Sequence, residues 1–249
     1  MLKETADFAD EVMVHGGASI RTLLAADFAS VDPSMARFYG MKTYGPEASL
    51  AGTGRAGILQ QASFLAAHAH EDGTSPVKRG DFVLRKLLCE KVKRPAEVGI
   101  EIVIPPVSSA ETTRERFAMH TGVAACSGCH AALDAVGFSF ENFDAMGASR
   151  ARENGHPVDS SADVPFGGAA RHFANSVELS RWLADDPRVT ECFARHALRY
   201  FSAQSDPVIE KEFLALRGEL SPALAGSLVE ELVLFIKSDL FIRREVRSR

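Results

Sequence analysis

The feature that most constrains this chain is a Cys-x-x-Cys-His run, formed by Cys126, Cys129 and His130. Residues at positions i, i+3 and i+4 share one face of an α-helix. This spacing is the attachment signature of a c-type haem, in which two thiols bind one porphyrin and the next imidazole ligates its iron. Ser127 and Gly128, between the cysteines, are small enough to let a flat ring lie close. The motif therefore predicts one covalent haem c, with His130 as the proximal iron ligand.

Two other kinds of site also use a Cys-x-x-Cys pair. A redox dithiol expects a preceding strand in a βαβ unit, whereas residues 111–125 have a helical pattern. A zinc site needs two further ligands. His120 and His130 would complete a Cys2His2 set only at an unfamiliar spacing, and Cys89 and Cys192 are far apart in the sequence. These residues favour haem attachment over a dithiol or a zinc site.

Bulk properties set the class of protein and its surroundings. The 249 residues are 46% apolar and 24% charged, which is typical of globular proteins. The net charge of −5 gives no indication of nucleic-acid binding, and no apolar run approaches the roughly 20 residues of a membrane span. The start of the chain lacks the apolar region of a signal peptide, yet bacteria attach haem outside the cytoplasm. We therefore expect a fragment or processed form that is periplasmic or extracellular.

Helical periodicity and helix-start signals predict a mainly α protein with few or no strands, a helical scaffold around a cytochrome c-like haem-binding segment. A polar residue followed by proline typically begins a helix. Such starts are Asp32-Pro33, Ser75-Pro76, Asp186-Pro187, Asp206-Pro207 and Ser221-Pro222. Further predicted elements are a helix over 20–28, a loop over 45–57, an extended stretch over 100–104 with a linker at Pro105-Pro106, and a loop over 137–164 that wraps the cofactor. We expect a helical N-terminal part (1–108), the haem-binding segment (109–165) and a C-terminal helical domain (166–249).

The residues from Arg116 to Arg150 resemble the cytochrome segment of planctomycete-type cytochrome c proteins. These are large secreted bacterial proteins with helical domains of unknown function. The matching positions are His120, Cys126, Cys129, His130, Asp134, Gly137, Phe138, Glu141, Phe143, Asp144, Gly147 and Arg150. Segments around 23–27, 74–80 and 191–193 resemble the same family in the same order. The family carries further domains and a secretion signal upstream, which adds to the expectation of a fragment.

Cys89 and Cys192 lie in segments that resemble this family. Cysteines left over in an oxidising compartment often pair. We therefore predict a disulfide that joins the part before the haem motif to the helices after it. Two buried free thiols are the alternative.

The ligand on the other side of the iron stays open in the sequence. His68 and Met146 are the candidates, and an open or water-bound position is a third possibility. His70 ends the same predicted helix as His68 and could reach in similarly. Both histidines could instead be exposed residues at a helix end.

Other residues near the motif have expected supporting roles. His120 is expected to orient the haem edge or a propionate, and Arg150 to pair with a propionate unless it is a surface arginine. Phe138 and Phe143, with Phe140, are expected to pack around the porphyrin or form an aromatic core. Three acidic residues are expected to cap turns, with calcium binding as the alternative; they are Asp134, Glu141 and Asp144.

These interpretations predict a c-type cytochrome that transfers electrons to or from an unknown redox partner protein. A haem enzyme with an open distal site, peroxidase- or oxygenase-like, is an alternative, in which His68 or His70 would be an acid–base group. A secreted interaction module with a structural haem is another. We expect an electron-transfer protein more than an enzyme.

Overall fold

The computed structural model describes residues 1–92, 97, 111–122, 124–202, 211, 213–214 and 228–238. Within these ranges the chain is mainly helical, as predicted. The α-helices are α1 (Leu2–Asp10), α2 (Ile20–Ala25), α3 (Pro33–Phe38), α4 (Ala62–Ala67), α5 (Pro76–Phe82), α6 (Thr113–Gly122), α7 (Ala124–Phe138), α8 (Ser176–Asp185), α9 (Pro187–Ser202) and α10 (Leu228–Lys237). Glu11–His15 and Val83–Leu87 continue α1 and α5 as π-helical turns, and Ile58–Gln60 is a 3₁₀ turn.

Helix starts follow the local signals. The Asp32 carboxylate accepts the backbone N–H groups of Ser34 and Met35, each at 2.8 Å, which supplies partners for donors that the first turn leaves unpaired. Ser75 caps α5 in the same way, and the N–H of Arg188 donates to Asp186 at 2.9 Å at the start of α9. These three predicted starts are confirmed.

Several sequence predictions fall outside the described residues. They are the extended stretch over 100–104, the linker at Pro105-Pro106, and the helix starts at Asp206-Pro207 and Ser221-Pro222.

Short strands form three antiparallel pairs in the described part of the chain. They are β1 (Phe28–Val31) with β2 (Gly45–Ser49), β3 (Arg152–Glu153) with β4 (His156–Pro157), and β5 (Ala162–Val164) with β6 (Arg171–Phe173). The expectation of few strands is therefore met.

Two stretches differ from their predicted elements. The helix predicted over 20–28 ends at Ala25, and β1 begins at Phe28. The loop predicted over 45–57 contains β2, which has no β-branched residue and takes its conformation from pairing with β1. The loop predicted over 137–164 likewise contains short strands. The pairing of β1 with β2 joins distant segments and leaves little local signal. Strands β3 and β4, in contrast, are joined by Asn154-Gly155, a pair of residues that typically forms a tight hairpin turn.

The largest apolar cluster among the described residues joins most of the central helices to one strand pair. It takes buried side chains from α2, α4, α5 with its π-helical turn, α7, β5, β6, α8 and α9. Leu24, Leu133 and Leu183 are examples, one from each of the three predicted parts of the chain. The boundaries between those parts stay a prediction. Among the described residues, no helix is both long enough and apolar enough to cross a membrane.

Helices α5 and α7 touch through two glycines. A Cβ built on Gly80 would lie under 3.0 Å from the backbone of Leu133, and one on Gly137 equally close to the backbone of Pro76. Real Cβ atoms do not approach other atoms so closely. The contact helps to fix the position of α7, the helix that carries the Cys-x-x-Cys-His run.

Replacing Gly137 by alanine should therefore lower the free energy of unfolding by about 1–3 kcal/mol, the usual cost of overpacking. Gly128→Ala is the matched control in the same helix, because a Cβ there meets nothing within 4 Å. Loss of a helical glycine should raise stability by up to about 1 kcal/mol. Urea unfolding of the haem-free protein measures both. Effects of the same sign at the two positions would contradict the close packing.

A buried carboxyl group anchors α1 to the rest of the fold. Glu4 is 3% exposed and accepts a 2.6 Å hydrogen bond from the Tyr39 hydroxyl. That hydroxyl in turn accepts the N–H of Ala62 at 2.7 Å. Burial raises the pKa of Glu4 to about 7, against the opposing effect of the Tyr39 hydrogen bond. Glu4 is therefore protonated in the fold at pH values where an ordinary glutamate is ionised.

We expect Glu4→Gln to stabilise the protein in alkaline buffer. The pKa of Glu4 in the folded protein lies above its unfolded value of 4.5. The stability that Glu4 contributes is therefore complete below pH 4.5 and is lost as the pH rises through about 7. Above pH 8 the free energy of unfolding of the variant should exceed that of the wild type by about 3 kcal/mol. This difference should vanish near pH 4. Unfolding midpoints across this range test the claim, with Asp10→Asn, an exposed change on α1, as control. A difference that did not vary with pH would contradict it.

Candidate functional site

Helix α7 carries the whole Cys-x-x-Cys-His run. Cys126, Cys129 and His130 all lie within Ala124–Phe138, so the backbone places them at helical positions i, i+3 and i+4 and hence on one side of the helix. The side chains of Cys126, Cys129 and His120 lie outside what the structure describes. Their predicted roles in haem attachment and orientation stay predictions.

The ring of His130 is held by a carboxylate one helical turn away. Its Nδ1 lies 2.9 Å from Oδ1 of Asp134, and the two side chains are 22% and 1% exposed. A carboxylate accepts hydrogen bonds, so Nδ1 donates and an iron would have to bind at Nε2. Asp134 lies inside a helix, so the prediction that it caps a turn is wrong. Its place four residues after His130 in a helical segment is the sequence signal for this contact.

The donor set fits a haem. The His130 side chain is partly exposed, so its ring is accessible from outside the core. A histidine oriented by a second hydrogen bond is the usual form of a metal-ligating imidazole. Two cysteines and this histidine on one helix are the residues that would hold the group.

The turn after α7 is shaped by Asp144. Its Oδ1 accepts the N–H groups of Met146 at 2.9 Å and Ala148 at 2.8 Å. The prediction that Asp144 caps a turn is confirmed.

Glu141 is part of a buried charged network and is not a turn cap, which corrects that prediction. It lies 3.4 Å from Nη1 of Arg79, with both side chains at most 2% exposed. Its other oxygen accepts hydrogen bonds from the Thr74 hydroxyl at 2.7 Å and from Arg150 at 2.8 Å. The network ties the start of α5 to the chain after α7.

Arg150 completes this network. Its guanidinium lies 2.9 Å from Glu153 as well as on Glu141, and Glu153 accepts the N–H and hydroxyl of Thr113 at 2.7 Å each. A haem propionate at Arg150 would have to compete with two carboxylates. The propionate role stays a prediction, and the structure adds Glu153 as a partner of Arg150 that no sequence pattern indicated.

The predicted aromatic residues are buried. Phe143 and Phe140 belong to the main apolar cluster, and the Arg55 guanidinium lies 4.5 Å from the Phe143 ring centroid. The Phe138 ring has the Arg114 guanidinium 4.7 Å from its centroid. These contacts describe an aromatic core beside α7. Whether the rings also face a porphyrin stays a prediction.

His68 has the properties of a metal ligand. Its Nδ1 lies 2.8 Å from the carbonyl oxygen of Phe64, which leaves Nε2 as the nitrogen with the lone pair. The ring is half-buried, and its centroid is 4.3 Å from that of Phe64 and 4.9 Å from that of Phe82. Burial lowers its pKa, so the imidazole is neutral at pH 7. Burial also lowers the pKa of His70.

Met146 lies elsewhere. It is 57% exposed and lines a polar cavity of about 320 Å³. The residues that line this cavity with it are Asp72, Gly73, Thr74, Glu111, Thr113, Arg116, Asp144, Ala145, Arg150, Glu153 and Asn154. Neither His130 nor His68 is among them. The choice between His68 and Met146 as sixth ligand stays a prediction.

The predicted disulfide between Cys89 and Cys192 is formed, with a Cα–Cα distance of 5.4 Å. It joins the end of the π-helical turn after α5 to α9. His196, one turn after Cys192, has Nε2 3.5 Å from the Cys192 sulfur, and Arg199 bonds to its Nδ1 at 3.0 Å. Sequence reasoning missed His196, although its i+4 spacing from Cys192 was visible.

Comparison with known families gives a match over part of the chain. Residues 55–153, from just before α4 to the end of β3, match the model of PSCyt3, a protein of unknown function (DUF1588). PSCyt3 is a planctomycete cytochrome c-associated domain. The match supports the resemblance to planctomycete-type cytochrome c proteins over this part of the chain. Comparisons with curated proteins and with solved structures find no match.

Proposed function

We propose that this chain is a c-type cytochrome that binds one covalent haem through Cys126 and Cys129 and transfers electrons. His130 would be the proximal iron ligand. The observation that carries the proposal is a Cys-x-x-Cys-His run on one helix whose histidine is oriented by a buried carboxylate. The cytochrome c-related match over residues 55–153 supports it. When bound, the haem supplies a one-electron couple.

The chain's own residues would position that group. The contact between α5 and α7 at Gly80 and Gly137 holds the motif helix against the core. Asp134 holds the ring of His130. Axial ligand, burial and hydrogen bonding set a haem potential; the proximal ligand and its hydrogen bond would both come from α7.

The disulfide supports a location outside the cytoplasm, because such bonds persist in oxidising compartments. We therefore propose that the protein works in the periplasm or outside the cell, where haem c is attached. Its electron donor or acceptor would be a redox partner protein.

For the sixth ligand we propose His68. Its imidazole is neutral, half-buried and fixed through Nδ1, as a ligating histidine usually is. The thioether of Met146 is the other candidate ligand. Met146 lines a cavity that His130 does not line.

A haem enzyme with an open distal site is the second candidate. The observation that favours it is the carboxylate on the motif histidine, because a carboxylate partner raises the basicity of the ligand and so favours higher oxidation states of the metal. In that case His68 would be an acid–base group instead of a ligand.

Expression with haem-maturation machinery outside the cytoplasm tests the proposal. We expect an intact mass that contains one haem, and its loss in Cys126→Ala/Cys129→Ala but not in the control Ser127→Ala. A wild-type protein without covalent haem would overturn the proposal.

The absorption spectrum then separates the candidates. A low-spin spectrum that becomes high-spin in His68→Ala and stays low-spin in Met146→Ala is expected for electron transfer with His68 as ligand. A high-spin wild type whose spectrum shifts with cyanide or peroxide would favour the enzyme.

A further inference from the structure

We infer that Asp134 is a positioning residue that fixes the His130 ring and lowers the reduction potential of the haem bound there. The inference rests on the proposed function. It is carried by the 2.9 Å contact between Nδ1 of His130 and Oδ1 of Asp134. Asp134 is buried while His130 is partly exposed, so the carboxylate lies on the protein side of the ring.

The helix makes this contact rigid. His130 and Asp134 are four residues apart on α7, a separation that brings side chains together. Leu133, next to Asp134, meets Gly80 of α5, and Gly137 meets Pro76. Because α7 is held against α5 on both sides of Asp134, the backbone that carries the carboxylate is fixed in position.

Burial makes the contact strong. A hydrogen bond to an ionised acceptor is about twice as strong as a neutral one, and the low dielectric of the interior strengthens it further. The Asp134 carboxylate therefore specifies the tautomer of His130 with the proton on Nδ1, and directs Nε2 to the iron.

The same contact acts on the metal. A negative acceptor on Nδ1 raises the electron donation of the imidazole at Nε2. Greater donation stabilises the ferric over the ferrous state, and hydrogen bonding beyond the axial ligand is one means by which proteins set haem potentials. Loss of the carboxylate should consequently raise the reduction potential. A purely structural Asp134 would change stability and leave the potential where it is.

The chain offers a matched control. His172 and Asp163 form a second pair with the same atoms, Nδ1 and Oδ1, at 3.0 Å. This pair lies across β5 and β6 and both side chains are exposed. Asp163→Asn therefore removes one carboxylate from a histidine that we do not assign to iron.

Potentiometric titration of the haem-loaded protein tests the inference. In Asp134→Asn we expect the equilibrium between ferric and ferrous haem to shift toward the ferrous form by about tenfold or more. Loss of a hydrogen-bond partner of a metal ligand typically has an effect of about this size on metal binding. For one electron a tenfold change is about 59 mV. Asp163→Asn should not shift the potential. Asp134→Glu, which keeps a carboxylate, should shift the potential less than Asp134→Asn does. Haem-loaded Asp134→Asn with an unchanged potential overturns the inference and leaves the proposed function intact.

A second measurement covers variants that fail to mature. ¹⁵N NMR of the histidine rings in the haem-free wild type distinguishes a proton on Nδ1 from one on Nε2. We expect His130 to carry it on Nδ1. A proton on Nε2 overturns the inference, whereas absence of covalent haem from the matured wild type overturns the proposed function.

Discussion

Replacing Cys89 and Cys192 by alanine should lower the free energy of unfolding by about 4.7 kcal/mol, the value that the chain-entropy model gives for a loop of about a hundred residues. The two cysteines are 103 residues apart, so the bond removes a large part of the freedom of the unfolded chain. Because the unfolded variant is less compact, the dependence of stability on urea should also become steeper. Equilibrium urea unfolding of the haem-free protein measures both quantities.

The control must distinguish the thiols of Cys89 and Cys192 from those of the two motif cysteines. Cys126→Ala/Cys129→Ala leaves only Cys89 and Cys192, and in that background denatured protein should show no free thiol without reductant. A count of two would contradict the disulfide. Reduction of this background variant should reproduce the loss of stability that the Cys89→Ala/Cys192→Ala double variant shows.

Local signals were enough for several helix starts. Asp32-Pro33 and Asp186-Pro187 predict helix starts because the capping oxygen and the fixed proline φ act within a few residues, and both starts are observed. The helical placement of the Cys-x-x-Cys-His run followed in the same way from local pattern. The residues that favour haem attachment are thus readable from the sequence alone.

Features that depend on distant partners were not readable. Strand β2 contains glycine, proline and alanine and forms only because β1 lies beside it. Glu141 pairs with Arg79, which lies 62 residues before it in the sequence. No pattern in either segment indicates this pair. The contact between His130 and Asp134 could be predicted in part. The four-residue spacing is present in the sequence, but the burial of Asp134 depends on the rest of the fold.

Replacing Arg79 by methionine should lower the free energy of unfolding by about 3–5 kcal/mol, the usual effect of removing one partner of a buried ion pair. Arg79 is fully buried. Besides Glu141, its guanidinium donates to the carbonyl oxygens of Phe140 at 3.1 Å and Asp144 at 3.0 Å. Methionine fills similar space but leaves these acceptors without their donor, and burial makes unmet acceptors costly.

Arg85→Met is the matched control, since Arg85 lies one and a half turns further along the same helical segment in a partly exposed pair with Asp81. Such a pair contributes only about 0.3–0.5 kcal/mol. Comparable losses at the two positions would contradict the importance of the buried network.

A double-mutant cycle then isolates the charge interaction from the carbonyl contacts. Glu141→Gln should cost less in the Arg79→Met background than in the wild type, by a coupling of about 0.5–3 kcal/mol. If Arg79→Met does not fold, Arg79→Lys keeps the charge and loses the fork of donors, so its smaller loss reports the carbonyl contacts alone. Because Arg79 belongs to α5 and these carbonyls lie in the turn directly after α7, a large loss in either variant would mean that α5 holds the helix bearing His130 through this turn as well as through Gly80 and Gly137.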